Sequence, residues 1–391
     1  MNQRDMAEIK RRLNPEKRNP TVIRGCYVGY DGHVISAFTQ DVYSMPQDEN
    51  EKYMAIFKKV LSGTHGQNLL PIDFTAQQVL DSYEHRLLSD LRGSALRSDE
   101  AVNAFFESAV ASIQAEYAAA TQSVEDERQR NNYLILLLHD GYDLPIRTNN
   151  DELDRERSTE MFSYILCAVC PVKPTKPELS YFSADSEFHN KPEDWIVGMP
   201  DMGFMFPAFE ERSANIHRAV YYTRSANDLH SAFAEAVFHQ ELSMTPVEQK
   251  ETFQAVLQET LADECSLDVV QAVHETVRTM MEERKADKTA EPLTLSALDM
   301  KQVLTDCGVA EEKTAVFEER FTESFGAQAQ VPAVNVVQPK SFKVQTPSVS
   351  IQVSPENSGL IETRMIDGKY YILVLADGDV EVNGMRINQL G

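Results

Sequence analysis

Phe162-Ser-Tyr-Ile-Leu-Cys-Ala-Val-Cys170 is the stretch on which the reading of the fold turns. It is almost wholly apolar, includes β-branched and aromatic residues, and runs into Pro171, Pro174 and Pro177. A strand with one wet face would alternate apolar and polar residues, so an unbroken run of this kind reads as a strand buried on both faces in the middle of a sheet. The same central stretch closes with Met202-Gly-Phe-Met-Phe-Pro-Ala-Phe209 and Arg218-Ala-Val-Tyr-Tyr-Thr223. Tyr133-Leu-Ile-Leu-Leu-Leu138 is a second continuous apolar strand. The charged residues from Asn149 to Glu160 show no apolar stripe, which predicts a protruding hairpin connection and makes the two strands antiparallel neighbours.

Working outward, Val22–Tyr27 and Val34–Phe38 read as a hairpin through Gly29-Tyr-Asp-Gly32, and Leu69–Phe74 as another strand. Helices are expected over residues 48–61, from Thr75 to Gly93 behind a Thr75/Gln78 capping box, from Ser98 to about Arg128, and over Asn227–Gln240. Thr245-Pro246 with Glu248 starts two further helices broken near Cys265-Ser266, and Ser296–Phe325 holds two more around Gly308. Asp367-Gly368, Asp377-Gly378 and Asn383-Gly384 punctuate short strands near the C-terminus. Val380-Glu-Val-Asn-Gly384 also occurs in some RNA-binding and phosphopeptide-binding modules, although a short strand before a turn is common everywhere.

The expected fold class is α+β: a mixed, largely antiparallel sheet flanked by helices, with a small C-terminal antiparallel β-meander. The expected division is an α+β core over 1–285, a helical extension over 286–325, a linker over 326–347 containing three prolines, and the meander over 348–391.

Of 391 residues, 42% are apolar, enough for a sizeable core, and Lys+Arg 37 against Asp+Glu 61 gives a net charge of -24. That field repels polyanions, so the bulk surface is unsuited to nucleic acid or anionic membrane. No apolar run reaches the length of a membrane span. Five scattered cysteines and no charged-then-apolar leader point to free thiols in the cytoplasm. Residues 1–24 are basic against this background, which fits either a phosphate or RNA contact or a segment docked on the protein's own acidic surface.

Polar residues at the ends of buried strands mark the surface to watch: His139, Asp140 and Asp143 with Lys173, Lys176, Arg212 and Asn215. The alternative is that these side chains pin loops to the sheet edge. On a continuous helix Glu84 shares an arc with Leu80, Leu87, Leu88 and Leu91, so its carboxylate points at the core, either as a functional acid or paired with a cation such as Arg24, Lys173 or Arg212. Cys167 and Cys170 have CxxC spacing, but residues three apart on a strand face opposite ways and cannot close on one metal. His139-Asp140 is similar to the paired ligands of metal-dependent phosphohydrolases, yet it ends a strand and has no identifiable further ligands. No metal or cofactor is expected, and no glycine-rich phosphate loop, nucleophile elbow or dinucleotide fingerprint occurs.

Ile23-Arg-Gly-Cys-Tyr-Val28, Gln77-Gln-Val-Leu-Asp-Ser-Tyr-Glu-His-Arg-Leu-Leu88, Tyr164-Ile-Leu-Cys-Ala-Val-Cys-Pro-Val-Lys173, Gly203-Phe-Met-Phe-Pro-Ala-Phe209 and Glu248-Gln-Lys-Glu-Thr-Phe253 resemble a bacterial family known as domain of unknown function 4317. The resemblance spans most of 1–285 and extends to the C-terminal strands. It implies a cytosolic bacterial protein and assigns no catalytic residue. Two functions stay open: a non-enzymatic interaction or regulatory module with an unknown protein partner, or a hydrolase acting on a phosphorylated or nucleotide-like substrate at Asp140, Lys173 and Arg212.

Overall fold

The structure is a computed structural model that describes residues 1–17, 19–120, 131–147, 153–210, 212–240, 242, 244–287, 289–376, 378 and 380–387. The chain divides into two compact units, Met1–Pro246 and Val247–Gly391.

The first unit is built on one sheet. Its strands are β1 (Val22–Val28), β2 (Val34–Asp41), β3 (Leu69–Asp73), β4 (Asn132–Arg147), β5 (Leu153–Pro174), β8 (Trp195–Val197), β9 (Met202–Phe206) and β12 (Arg218–Thr223). The order is β2-β1-β4-β5-β9-β12-β3, with β8 beside β5, and every ladder is antiparallel. Two hairpins lie off the sheet: β6 (Glu178–Phe182) with β7 (Glu187–Lys191), and β10 (Ala208–Glu210) with β11 (Ser213–Asn215).

Burial on both faces is what the apolar runs require. Ile165, Cys167 and Val169 of β5 join Tyr133, Ile135 and Leu137 of β4 on one face, packed under α4 (Tyr83–Gly93), α5 (Asp99–Ala120) and α6 (Ser231–Phe238). Tyr164, Leu166, Ala168 and Cys170 join Leu134, Leu136 and Leu138 on the other, under α1 (Gln3–Arg12) and α2 (Gln47–Val60). Cys167 and Cys170 therefore lie on opposite faces, as the strand period requires. At Gly203 an added Cβ would stand 2.3 Å from the Cys167 carbonyl oxygen, so β9 can lie this close to β5 only with glycine there.

The first hairpin, the β4–β5 pairing, the strand at 69–73 and the start of α2 agree with the sequence reading. Residues 149–152 of the expected connection and the expected helical turns after Ala120 lie outside the described residues. The helix expected from Thr75 to Gly93 is instead two, α3 (Ala76–Asp81) and α4, because Ser82 leaves the helical region with ψ 140° and caps the second helix by accepting from His85 N–H at 3.0 Å. The break resets the helical phase. Leu80 and Tyr83 end up exposed, and His85 turns inward between Phe74 and Phe206 with its Nε2 2.9 Å from the Ile216 carbonyl.

The second unit packs α7 (Pro246–Leu261), α8 (Leu267–Ala286), α9 (Ala297–Asp306) and α10 (Glu311–Phe325) around Phe253, Leu261, Val277, Met300, Phe317 and Phe321. The expected boundary at 285 thus falls at the end of α8, well inside this unit. The expected linker is not a tether: β14 (Val331–Pro332) pairs with β13 (Thr294–Leu295), α11 (Ala333–Val336) follows, and Val331, Ala333, Val336 and Val337 are buried in the same core. Its prolines punctuate short elements that pack. Beyond it the antiparallel strands form separate pairs, β15 (Phe342–Gln345) with β16 (Ser350–Val353), β17 (Ile361–Ile366) with β18 (Lys369–Val374), and β19 (Val380–Val382) with β20 (Met385–Ile387). Among the described residues β18 and β19 share no ladder, so the expected meander is a succession of hairpins.

Candidate functional site

Asp140 occupies an inward position of β4, in phase with Leu134, Leu136 and Leu138, and is fully buried. A carboxylate placed so needs charged or hydrogen-bonding partners. They come from α1 and β5. Arg12 donates from Nε to Oδ2 and from Nη2 to Oδ1, both at 2.7 Å, and Tyr164 donates its hydroxyl to Oδ2 at 2.9 Å. This is the bidentate fork that suits guanidinium and carboxylate. Burial works against the Arg12 charge, but the hydrogen bond and charge of Asp140 outweigh it and hold the guanidinium above its usual range. Burial also pushes the Tyr164 hydroxyl far up, and the Asp140 charge adds to this.

The network continues across α1. The Arg12 guanidinium lies 4.2 Å from the Tyr142 ring centroid, Tyr142 donates to Glu8 Oε1 at 3.1 Å, and Arg212 donates to Glu8 Oε2 at 3.1 Å. Beside it, Glu210 accepts from the Met1 amine at 2.8 Å, from Arg218 at 3.0 Å and from Asn215 at 2.6 Å, while Arg218 also pairs with Asp73. Burial alone would raise the Glu210 carboxyl, but these donors hold it below the usual carboxylate range. Each group is close to neutral: Arg12 and Arg212 against Asp140 and Glu8, then Arg218 and the amine against Glu210 and Asp73. The arrangement locks α1 and the β10–β11 hairpin onto the sheet, and leaves little unbalanced positive charge to receive a phosphate.

The sequence candidates do not converge. His139 neighbours Asp140 on the strand but faces the opposite side, where its Nε2 lies 2.9 Å from Ser163 Oγ. Burial lowers its pKa, and the charges of Arg97 and Arg92 act in the same sense against that of Asp140. Asp143 is exposed. Lys173 and Lys176 are exposed at the far end of the β4–β5 pair, where Val172 lies opposite Asn132, whereas Asp140 lies opposite Tyr164. Nine strand residues at roughly 3.3 Å each put Lys173 about 30 Å from Tyr164. Arg212 and Asn215 do reach the cluster through Glu8 and Glu210. Glu84 sits half-buried in the first turn of α4, without an ion pair among the described residues. The cationic partner expected for it is not there: Arg24 pairs with Asp99, Arg212 with Glu8, and Lys173 is in solvent.

Sequence reasoning passed over Glu8, Tyr142 and Tyr164, and placed Arg12 only within a basic segment. The signal was present, because an inward carboxylate on β4 calls for a cation and the basic N-terminal helix could supply it. A surface groove of 420 Å³ between α4 and α5, lined by Tyr83, Arg86, Leu87, Ser94, Ser98 and Ala101 among others, contains none of the candidates. Among the described residues no three His, Cys, Asp or Glu side chains gather as a metal site. No helix there is long and apolar enough to cross a membrane.

A comparison with curated proteins finds no match. The family model described as "Domain of unknown function (DUF4317)" matches residues 1–385, nearly the whole chain and both units. The resemblance carried by the five sequence segments is thereby confirmed, and the chain belongs to the DUF4317 family.

Proposed function

We propose that this protein acts by binding another protein rather than by turning over a small substrate. One repeated observation carries the reading. Three hairpins each hold a cross-strand pair of large apolar side chains out in water: Tyr181 with Phe188 (55% and 65% exposed), Met365 with Tyr370 (60% and 83%), and Val382 with Met385 (48% and 68%). Directly paired side chains lie on one face of a hairpin, so each pair is a small apolar face. Contiguous apolar surface of this kind marks contact sites. The polar cluster around Asp140 supports the same reading, since its charges are spent on one another. The hydrolase alternative needs Asp140, Lys173 and Arg212 in one pocket, but Lys173 lies at the opposite strand end and Asp140 is covered by Arg12 and Tyr164.

The test is affinity capture with the full chain from cytosol, followed by reassembly from two purified proteins and size-exclusion chromatography. The reading expects a stoichiometric complex that forms without nucleotide or metal. Saturable hydrolysis of a phosphomonoester by the purified chain, abolished by Asp140→Asn in protein that still folds, would overturn it.

A further inference from the structure

We infer that the β6–β7 hairpin together with β8 takes up an apolar segment of another protein that carries lysine or arginine beside its apolar residues. The inference rests on the binding reading above and names the surface and the chemistry of the partner.

The hairpin stands off the main sheet, between the end of β5 and β8. β5 ends at Pro174, β6 and β7 run out and back, and β8 rejoins β5 with Trp195 opposite Pro174 and Ile196 opposite Lys173. Leu179, Tyr181 and Phe188 share one face of the hairpin, the two rings 5.3 Å apart, and all three are exposed. Phe182 on the other face is exposed as well, as are Trp195, Ile196 and Val197 of β8. A two-stranded ribbon wet on both sides is marginal by itself, so covering its apolar face stabilises it. β8 adds a backbone edge. The bonds from Gly198 N–H to Pro171 and from Thr175 N–H to Asp194 put the even-numbered residues of β8 in register with β5. By antiparallel alternation the N–H and C=O groups of Trp195 and Val197 then face away from β5, toward an edge to which no strand is paired among the described residues; the Trp195 N–H donates to Asp194 Oδ1 at 3.0 Å, so the Trp195 carbonyl and both backbone groups of Val197 are what this edge offers. An extended segment can add there.

Charge decides the kind of partner. From Lys173 to Val197 five carboxylates (Glu178, Asp185, Glu187, Glu193, Asp194) outnumber three ammonium groups (Lys173, Lys176, Lys191), on a chain of net charge -24. Phosphate backbones, anionic lipid and a second copy of the chain are all repelled, whereas a cationic segment is drawn in. The exposed faces of Tyr181, Phe188 and Trp195 also suit a guanidinium or ammonium.

A displayed library of random short peptides, panned against the full chain, tests the inference, with binding of the enriched peptides measured by fluorescence anisotropy. Enrichment of apolar residues beside Lys or Arg is expected. Tyr181→Ser/Phe188→Ser should weaken these peptides about tenfold, and Glu178→Lys/Glu187→Lys should weaken them and flatten their salt dependence. Both variants alter exposed side chains, and an unchanged thermal transition checks that they fold. Enrichment of acidic or uncharged peptides overturns the inference, as does ribbon-dependent dimerisation or ribbon-dependent flotation with phosphatidylcholine vesicles. If peptides bind but the ribbon variants bind them equally, the ribbon assignment falls while the binding function stands. A stable complex with a whole protein that ignores the ribbon has the same meaning.

Discussion

Arg12 and Asp140, 128 residues apart in the chain, form a two-point ion pair with both N···O distances at 2.7 Å, and the carboxylate at its centre is fully buried. The Arg12 side chain keeps 20% of its surface exposed. The pair is therefore asymmetric: the cation can turn toward water if its partner is lost, and the anion cannot.

That asymmetry predicts an order of stabilities. Asp140→Asn should cost about 3 kcal/mol, the lower end for a broken buried ion pair. Arg12→Met should cost more, because it leaves the carboxylate with only Tyr164 as a donor. The double variant should recover part of the loss. Urea unfolding measures all three, and an Arg12→Met variant as stable as the wild type would show that the buried Asp140 carboxylate does not depend on the guanidinium.

Two histidines should titrate in opposite directions. Burial, helped by the charges of Arg97 and Arg92, lowers the pKa of His139 below the ordinary 6.5. The unfolded chain then binds that proton more readily, so the contribution to stability is complete above 6.5 and is lost as pH falls through the lowered value. For His230 burial again opposes the cation, but the hydrogen bond to Glu116 and the charges of Asp228 and Asp201 outweigh it and raise the pKa. Its contribution is complete below 6.5 and is lost as pH rises through the raised value. Imidazole proton shifts followed by NMR should place His230 above His139. The reverse order would contradict both environments.

Thiol reactivity separates the cysteines by burial. Cys167 and Cys170 are fully enclosed, and burial pushes the Cys170 thiol up to about 12 and that of Cys167 well above its usual value. Cys265 is exposed. A thiol reagent should modify Cys265 first in the native protein and reach Cys167 and Cys170 only on unfolding, because the thiolate is the reactive form. Rapid native labelling of Cys167 would contradict its place in the central strand.

What was legible in the sequence follows from how local the signals are. The two-sided burial of 133–138 and 162–170, their antiparallel pairing and the opposite facing of Cys167 and Cys170 come from runs and periods that a few residues carry. Glu84 was misplaced because one residue, Ser82, breaks a helix whose apolar spacing reads as continuous. The grouping of Asp140 with Lys173 failed for a reason the antiparallel reading already contained, since the end of one strand lies beside the start of the next. The Arg12–Asp140 pair spans about half of the first unit, and only the tertiary fold brings it together. Likewise, the prolines of 326–347 signal short elements, but the burial of Val331, Ala333, Val336 and Val337 depends on helices that reach back to α7.

We propose that the two units fold separately. Residues 1–246 alone should keep a cooperative thermal transition. A chain cut after Phe325 loses Val331, Ala333, Val336 and Val337 from the second core, so calorimetry should show the first unit's transition kept and the second unit's weakened. A truncated chain that melts like the whole protein would mean that these four side chains add little to that core.

The polar cluster holds α1 and the β10–β11 hairpin on the sheet, and we propose that the exposed apolar ribbon makes the contact with a partner. The most direct measurement compares Asp140→Asn with Tyr181→Ser/Phe188→Ser in the full chain, recording thermal midpoint and affinity for one purified partner. Asp140→Asn should lower the midpoint by several degrees yet bind in its folded state, while the ribbon variant should melt like the wild type and bind about tenfold more weakly. An Asp140→Asn protein of unchanged stability that no longer binds, beside a ribbon variant that binds normally, would contradict both expectations.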